Sequence, residues 1–154
     1  VTRTSSKITL FHIKDFMPTN NLPEAHYQRL DALPEAQDIA SNVQIGDTSR
    51  VTGNVCIGAG TVIENCIIRG PAVIGENCQI KAAYIGSYTT LGNNVEFIAT
   101  EIEHASVEDG VIIRALSGRI QDSIIGKNSH IIRHTNPGAF YHFQVSENSH
   151  IDII

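Results

Sequence analysis

An aliphatic residue followed three positions later by Asn or Gly recurs seven times along this chain at a nearly fixed interval. The segments that begin at Ile39, Ile57, Ile74, Leu91, Val107, Ile125 and Val145 read IASNVQ, IGAGTV, IGENCQ, LGNNVE, VEDGVI, IGKNSH and VSENSH. Their starts are separated by 18, 17, 17, 16, 18 and 20 residues. The fourth position holds Asn42, Gly60, Asn77, Asn94, Gly110, Asn128 and Asn148. The fifth is small or β-branched: Val43, Thr61, Cys78, Val95, Val111, Ser129 and Ser149.

Asn and Gly tolerate the left-handed backbone region best. A turn of that kind at one place in every repeat bends the chain by the same amount each time. The aliphatic residue then points inward and stacks on its copy in the next coil. Roughly three hexapeptides close one coil of about 18 residues, so the coils stack as a parallel β-helix. Ile45, Val51, Ile63, Ile68, Ile80, Ile85, Ile102, Ile113 and Ile120 supply the inward positions of the other two sides. The expected fold is therefore all-β: a parallel β-helix of about six to seven coils over residues 39–154. Its glycines are turn glycines, because no strand–turn–helix context makes them a dinucleotide loop.

Residues 1–38 break the pattern. KITLFHI at 7–13 reads as a strand. Leu22–Asp38 reads as one or two short helices interrupted by Pro34. A β-helix exposes apolar interior and strand edges at its ends, so this segment is expected to cap the first coil. At the other end, Phe140, Tyr141, Phe143 and the terminal IDII are candidates for the opposite cap.

Composition excludes several partners. The 154 residues carry a net charge of −5 with no basic cluster, which argues against nucleic acid and anionic membranes. No apolar run approaches the roughly 20 residues that span a bilayer. Cys56, Cys66 and Cys78 are an odd set without metal-ligand spacing. Reduced thiols and no visible signal peptide make the cytoplasm the expected compartment.

Four runs carry a family resemblance: RGPAVIG at 69–75, YIGSYTTLG at 84–92, EIEHASVEDG at 101–110 and RIQDSIIGKN at 119–128. They resemble the C-terminal left-handed β-helix of sugar-1-phosphate nucleotidyltransferases, above all the long-form glucose-1-phosphate thymidylyltransferases. The resemblance implies a left-handed coil, a homotrimer and a nucleotide-sugar or sugar-phosphate ligand. It does not reach the chemistry. The family's Gly-rich loop with its Thr-Arg-Leu-like run, its Pro-Lys-Pro-like motif and its metal-binding aspartates are absent from this sequence. The first reading is an assembly or regulatory β-helix module in nucleotide-sugar metabolism, without the nucleotidyl-transfer domain and with no cofactor of its own. It is expected to be either the detached half of such an enzyme or a stand-alone relative.

Two other chemistries have candidate residues. Acyl transfer is common on left-handed β-helices, with a His as general base near a subunit boundary and a pantetheine arm along the coil. His104 is the candidate base and Glu103 its candidate orienting carboxylate. A metal is the lesser alternative: His130, His134, His142 and His150 cluster near the C-terminus. His130 and His150 hold the same repeat position, which would place them about 5 Å apart in adjacent coils; His134 would be the third ligand. Arg69, Arg114, Arg119 and Arg133 are candidates for collecting a phosphate.

Overall fold

The structure, a computed structural model, describes residues 22–134 and 141–145. The chain winds through about six coils. The first holds β1 (Asp38–Ile39), β2 (Gln44–Ile45) and β3 (Arg50–Thr52). The second holds β4 (Val55–Ile57), β5 (Val62–Glu64) and β6 (Ile67–Arg69). The third holds β7 (Ala72–Ile74), β8 (Gln79–Lys81) and β9 (Tyr84–Ile85). Next come β10 (Thr89–Leu91), β11 (Glu96–Ile98), β12 (Glu101–Val107), β13 (Ile112–Arg114), β14 (Arg119–Ile125) and β15 (His130–Arg133). The long strands β12 and β14 each round a corner, at His104 and Asp122, where φ is +48° in both.

Parallel pairing one coil up and one coil down makes three faces. On the first, Ile39, Ile57, Ile74, Leu91, Val107 and Ile125 are register partners in one column. On the second, the column is Ile45, Ile63, Ile80, Phe97, Ile113 and Ile131. On the third, it is Val51, Ile68, Ile85, Ile102 and Ile120. Between β4 and β15 these columns are buried and form one continuous core. Strands of two to four residues suffice because each inward side chain packs on its copies above and below.

The corner between the first and second faces is the repeat's Asn/Gly position. Gly60, Asn77, Asn94, Gly110 and Asn128 all have positive φ there, between +56° and +79°. Asn42, in the first coil, is not among them. Its Oδ1 instead accepts from the Gly60 amide at 3.1 Å.

Past β15 the described chain adds no further parallel strand. Strand β16 (Tyr141–Gln144) runs antiparallel to β15, with His130 opposite Gln144 and Arg133 opposite Tyr141. Val145 therefore leaves the inward column and is exposed. The sequence between the strands includes Asn136-Pro137-Gly138, a composition suited to chain reversal.

Helix α1 (Glu24–Asp31) lies at the N-terminal side and ends ahead of Pro34. Its buried residues, His26 and Leu30, are four apart and share one face. The expected strand at 7–13 and the terminal IDII lie outside the described residues. No helix among the described residues is long and apolar enough to cross a membrane.

Candidate functional site

The corner between the second and third faces is built differently from the Asn/Gly corner. Asn65, Ala82, Ala99 and Ala115 occupy it with φ of +55°, +51°, +52° and +61°. Three of these are alanines, for which left-handed backbone is unfavourable. Successive ladder bonds over-determine it: the amides of Ala82, Ala99 and Ala115 donate to Glu64, Lys81 and Ile98 of the preceding coils, each at 2.9 Å. A small side chain at each level leaves a trough that runs from coil to coil.

That trough is an open groove of about 570 Å3. Asn65, Ala82 and Ala99 line its corner, and Cys66, Ala83, Thr100 and Leu116 form its buried floor. Thr48, Arg50 and Ser117 also line it, with Ile67, Tyr84 and Glu101 as the rim on the third face. The floor's polar groups are satisfied within the fold: Thr100 Oγ1 donates to the Ile98 carbonyl at 3.0 Å and accepts from the Leu116 amide at 3.2 Å. Cys66 Sγ donates toward the Glu64 and Ile80 carbonyls. Burial is the main force pushing the thiols of Cys66, Cys78 and Cys56 up from their ordinary range.

The third face joins this groove to the corner that carries His104. Arg119 organises it. Its guanidinium lies 4.7 Å over the Tyr84 ring, donates from Nε to Glu101 at 3.0 Å, and pairs through Nη1 with Glu103. Hydrogen bonding to Glu101, with the nearby Glu103 charge, favours the charged guanidinium and raises its pKa.

At the third corner Asn54, Pro71, Tyr88, His104 and Asp122 precede the first-face strands. Tyr88 and His104 are both in left-handed backbone, at φ of +56° and +48°. Their rings stack in adjacent coils, 5.4 Å between centroids. Helix α1 docks here. Tyr27 packs 5.4 Å from Tyr88 and 6.1 Å from His104, and the Tyr88 hydroxyl donates to Asp31 at 2.8 Å. His26 Nε2 donates to the Tyr88 carbonyl at 2.8 Å.

The two residues paired in the acyl-transfer reading have different neighbours. His104 sits half-buried beneath Tyr27, while the carboxylate of Glu103 is engaged by Arg119. Of the metal candidates, His130 opens β15 opposite Ile112 on one side and Gln144 on the other. His150 lies outside the described residues, as does the side chain of His142, and His134 is exposed just past β15. Among the described residues, no group of three or more His, Cys, Asp or Glu could hold a metal ion. Of the arginines, Arg114 binds both carboxylate oxygens of Glu96 at 2.7 and 2.8 Å, and Arg119 serves the third face.

Sequence reasoning missed the groove and the docking of α1. The groove had a signal: Asn65, Ala82, Ala99 and Ala115 recur at intervals of 17, 17 and 16 residues. The helix contact had none, because His26 and Tyr88 are 62 residues apart.

No protein-family model matches the sequence, and no curated protein matches it. Among solved structures, the chain is similar to a hexapeptide transferase family protein from Anaplasma phagocytophilum: identity 18%, 72% of this chain and 80% of that one, TM-score 0.42. It is also similar to a putative acetyltransferase from Bacillus cereus, at 20% identity over 73% of this chain and 80% of that one, TM-score 0.35. A third is the acetyltransferase domain of PglB from Neisseria gonorrhoeae in complex with acetyl coenzyme A: 17% identity, 64% and 52% covered, TM-score 0.30. None of the three is described as a nucleotidyltransferase. At such identities and TM-scores, shared activity does not follow from the likeness.

Proposed function

We propose that this chain is an acyltransferase of the hexapeptide-repeat type, with the small-residue groove holding the arm of an acyl-coenzyme A. The groove itself supports the reading best: it is open, and its lining residues come from successive coils, so it follows the coil axis. An extended, flexible thioester arm fits such a trough, whereas a compact sugar phosphate would use only part of it. Glu101 lines the groove and His104 follows three residues later on β12, so the candidate base lies about 10 Å along the strand from the rim. In the proposed reaction the imidazole of His104 takes the proton of an acceptor amine or hydroxyl as that atom attacks the thioester carbonyl. The C–S bond breaks, coenzyme A leaves as thiolate, and the imidazolium returns the proton to it.

The test begins with calorimetric titration of the full chain with acetyl-coenzyme A, for which saturable binding is expected. Thiol release is then measured against a panel of amine and hydroxyl acceptors. His104→Ala is expected to lower turnover by at least about 100-fold. Ala already occupies this left-handed conformation at Ala82, Ala99 and Ala115, so the variant is expected to fold. Absence of binding at millimolar donor would end the acyltransferase reading.

One observation favours the assembly module of nucleotide-sugar metabolism instead. Glu103 is held by Arg119 and Tyr27 packs against the His104 ring, which leaves the histidine without its candidate orienting carboxylate. A chain that binds no acyl-coenzyme A but assembles into trimers and binds a nucleoside-diphosphate sugar would support that second reading.

A further inference from the structure

We propose that helix α1 is a pH-released cover over the His104 corner, latched by the buried imidazole of His26. His26 is one of the two buried residues of the helix, with Leu30. His26 is only 2% exposed, and its Nε2–H is committed to the Tyr88 carbonyl at 2.8 Å. Its Nδ1 is buried with no hydrogen-bond partner. That arrangement is tolerable for a neutral ring, whose Nδ1 carries a lone pair and no proton. It is unfavourable for imidazolium, which would bring a buried N–H and a full charge with nothing to receive either.

The surrounding charges act in the same sense. From its own helix Arg29 opposes a positive charge on His26, and from the solenoid corner His104 does the same. Burial is the largest influence, and the docked imidazole titrates below its ordinary 6.5. The Tyr88 carbonyl pulls the other way, because it accepts from the ring. Asp31 faces the Tyr88 hydroxyl from α1 and is committed to it at 2.8 Å.

A group with a depressed pKa in the docked state stabilises docking fully above its free value. As the pH falls below that value, the docking equilibrium weakens by about tenfold per pH unit, until docked His26 itself takes a proton. Among the described residues the coils carry no comparable device. Their core is apolar, and the described buried polar groups other than His26 Nδ1 are hydrogen-bonded. Acid therefore lifts the helix and leaves the solenoid standing. Lifting it removes Tyr27 from the Tyr88–His104 stack and opens that corner to solvent. The consequence for transfer rests on the acyltransferase reading, whereas the position of the helix does not, so either can fail alone.

Hydrogen–deuterium exchange of the full chain at pH 7.5 and 5.5, corrected for intrinsic exchange rates, tests the latch. The peptide containing Glu24–Asp31 is expected to lose up to about tenfold of its protection at the lower pH, while peptides from β4 to β13 keep theirs. His26→Gln places an amide donor near the Tyr88 carbonyl and cannot titrate; its α1 protection is expected to be equal at both pH values. Protection of α1 that survives to pH 5.5 in the native chain, or that falls together with the coils, would overturn the proposal. So would a transition that persists in His26→Gln but vanishes in His104→Gln. Should His26→Gln leave α1 open at both pH values, the titration of His26 in the native chain decides by NMR. A midpoint below 6.5 that coincides with helix opening supports the latch, and one at or above 6.5 sinks it.

Discussion

Gly75 shows how little room the coil corners leave. A Cβ built there would lie 2.6 Å from the backbone of Gly92 and 2.5 Å from Asn93 Oδ1, one coil away. Gly75→Ala is therefore expected to destabilise the fold by roughly 1–3 kcal/mol, read as a shifted urea midpoint. Asn94 is constrained by its backbone, with φ of +57° and a side chain that faces solvent. Asn94→Val should cost roughly 1–2 kcal/mol because a β-branched residue is poorly tolerated in left-handed space, while Asn94→Gly should be close to neutral. The thiols divide by the same logic of burial. Cys66 and Cys78 are 1% exposed and donate to backbone carbonyls, whereas Cys56 points outward on the first face and is half-buried. A thiol reagent at neutral pH is expected to modify Cys56 alone in the native chain and all three cysteines in denaturant. Rapid labelling of Cys66 under native conditions would contradict the groove floor described above.

At the scale of elements, what could be read in advance depended on how local its cause was. The inward columns were legible apart from Phe97 and Ile131 on the second face and the misplaced Val145 on the first, because each coil repeats the same demand on the same six-residue step. The Asn/Gly corner was legible for the same reason. The second corner was not, since alanine carries no left-handed preference and adopts the conformation only because the ladder bonds around it require it. The C-terminal reversal was legible in part: the interval before Val145 is the longest, at 20 residues, and contains Pro137-Gly138, yet the hexapeptide pattern alone argues for another coil. Where helix α1 docks was out of reach, because it depends on Tyr27, Tyr88 and His104 meeting across coils. Tyr88→Phe keeps the ring stack and removes the hydroxyl that Asp31 accepts. It is expected to loosen α1 by about 1 kcal/mol at neutral pH, seen as faster exchange of the helix amides with no change in the coil amides.

At the scale of the molecule, the second face raises the question of what lies against it. Its strands pair in parallel, in one register, from coil to coil. Val62 and Ile112 share one outward row, and Ile98 and Ile132 share the next; all four are only partly covered in the single chain. Charged residues on the same rows are already paired along the face, Glu64 with Lys81 at 3.6 Å and Glu96 with Arg114 at 2.7 Å. Bringing a second copy against this face would then bury apolar side chains without stranding those charges. Phe143 is 39% exposed on the antiparallel strand that extends the same sheet. Each Å2 of apolar area removed from water contributes about 25 cal/mol, against the entropy lost on association. A parallel three-fold arrangement lets one surface of each chain meet another surface of the next and closes the ring, leaving no open end to grow a filament. We therefore predict a homotrimer whose axis runs along the coils. Light scattering at micromolar concentration should report about three times the 16.8 kDa chain mass. Ile98→Lys and Ile112→Lys together should reduce it to that of one chain, because each places an unpaired charge in the buried face while leaving the inward columns untouched. A native chain that scatters as a monomer would refute the trimer. It would also require any acyl-donor site to be completed within one chain, from the groove and the third face alone.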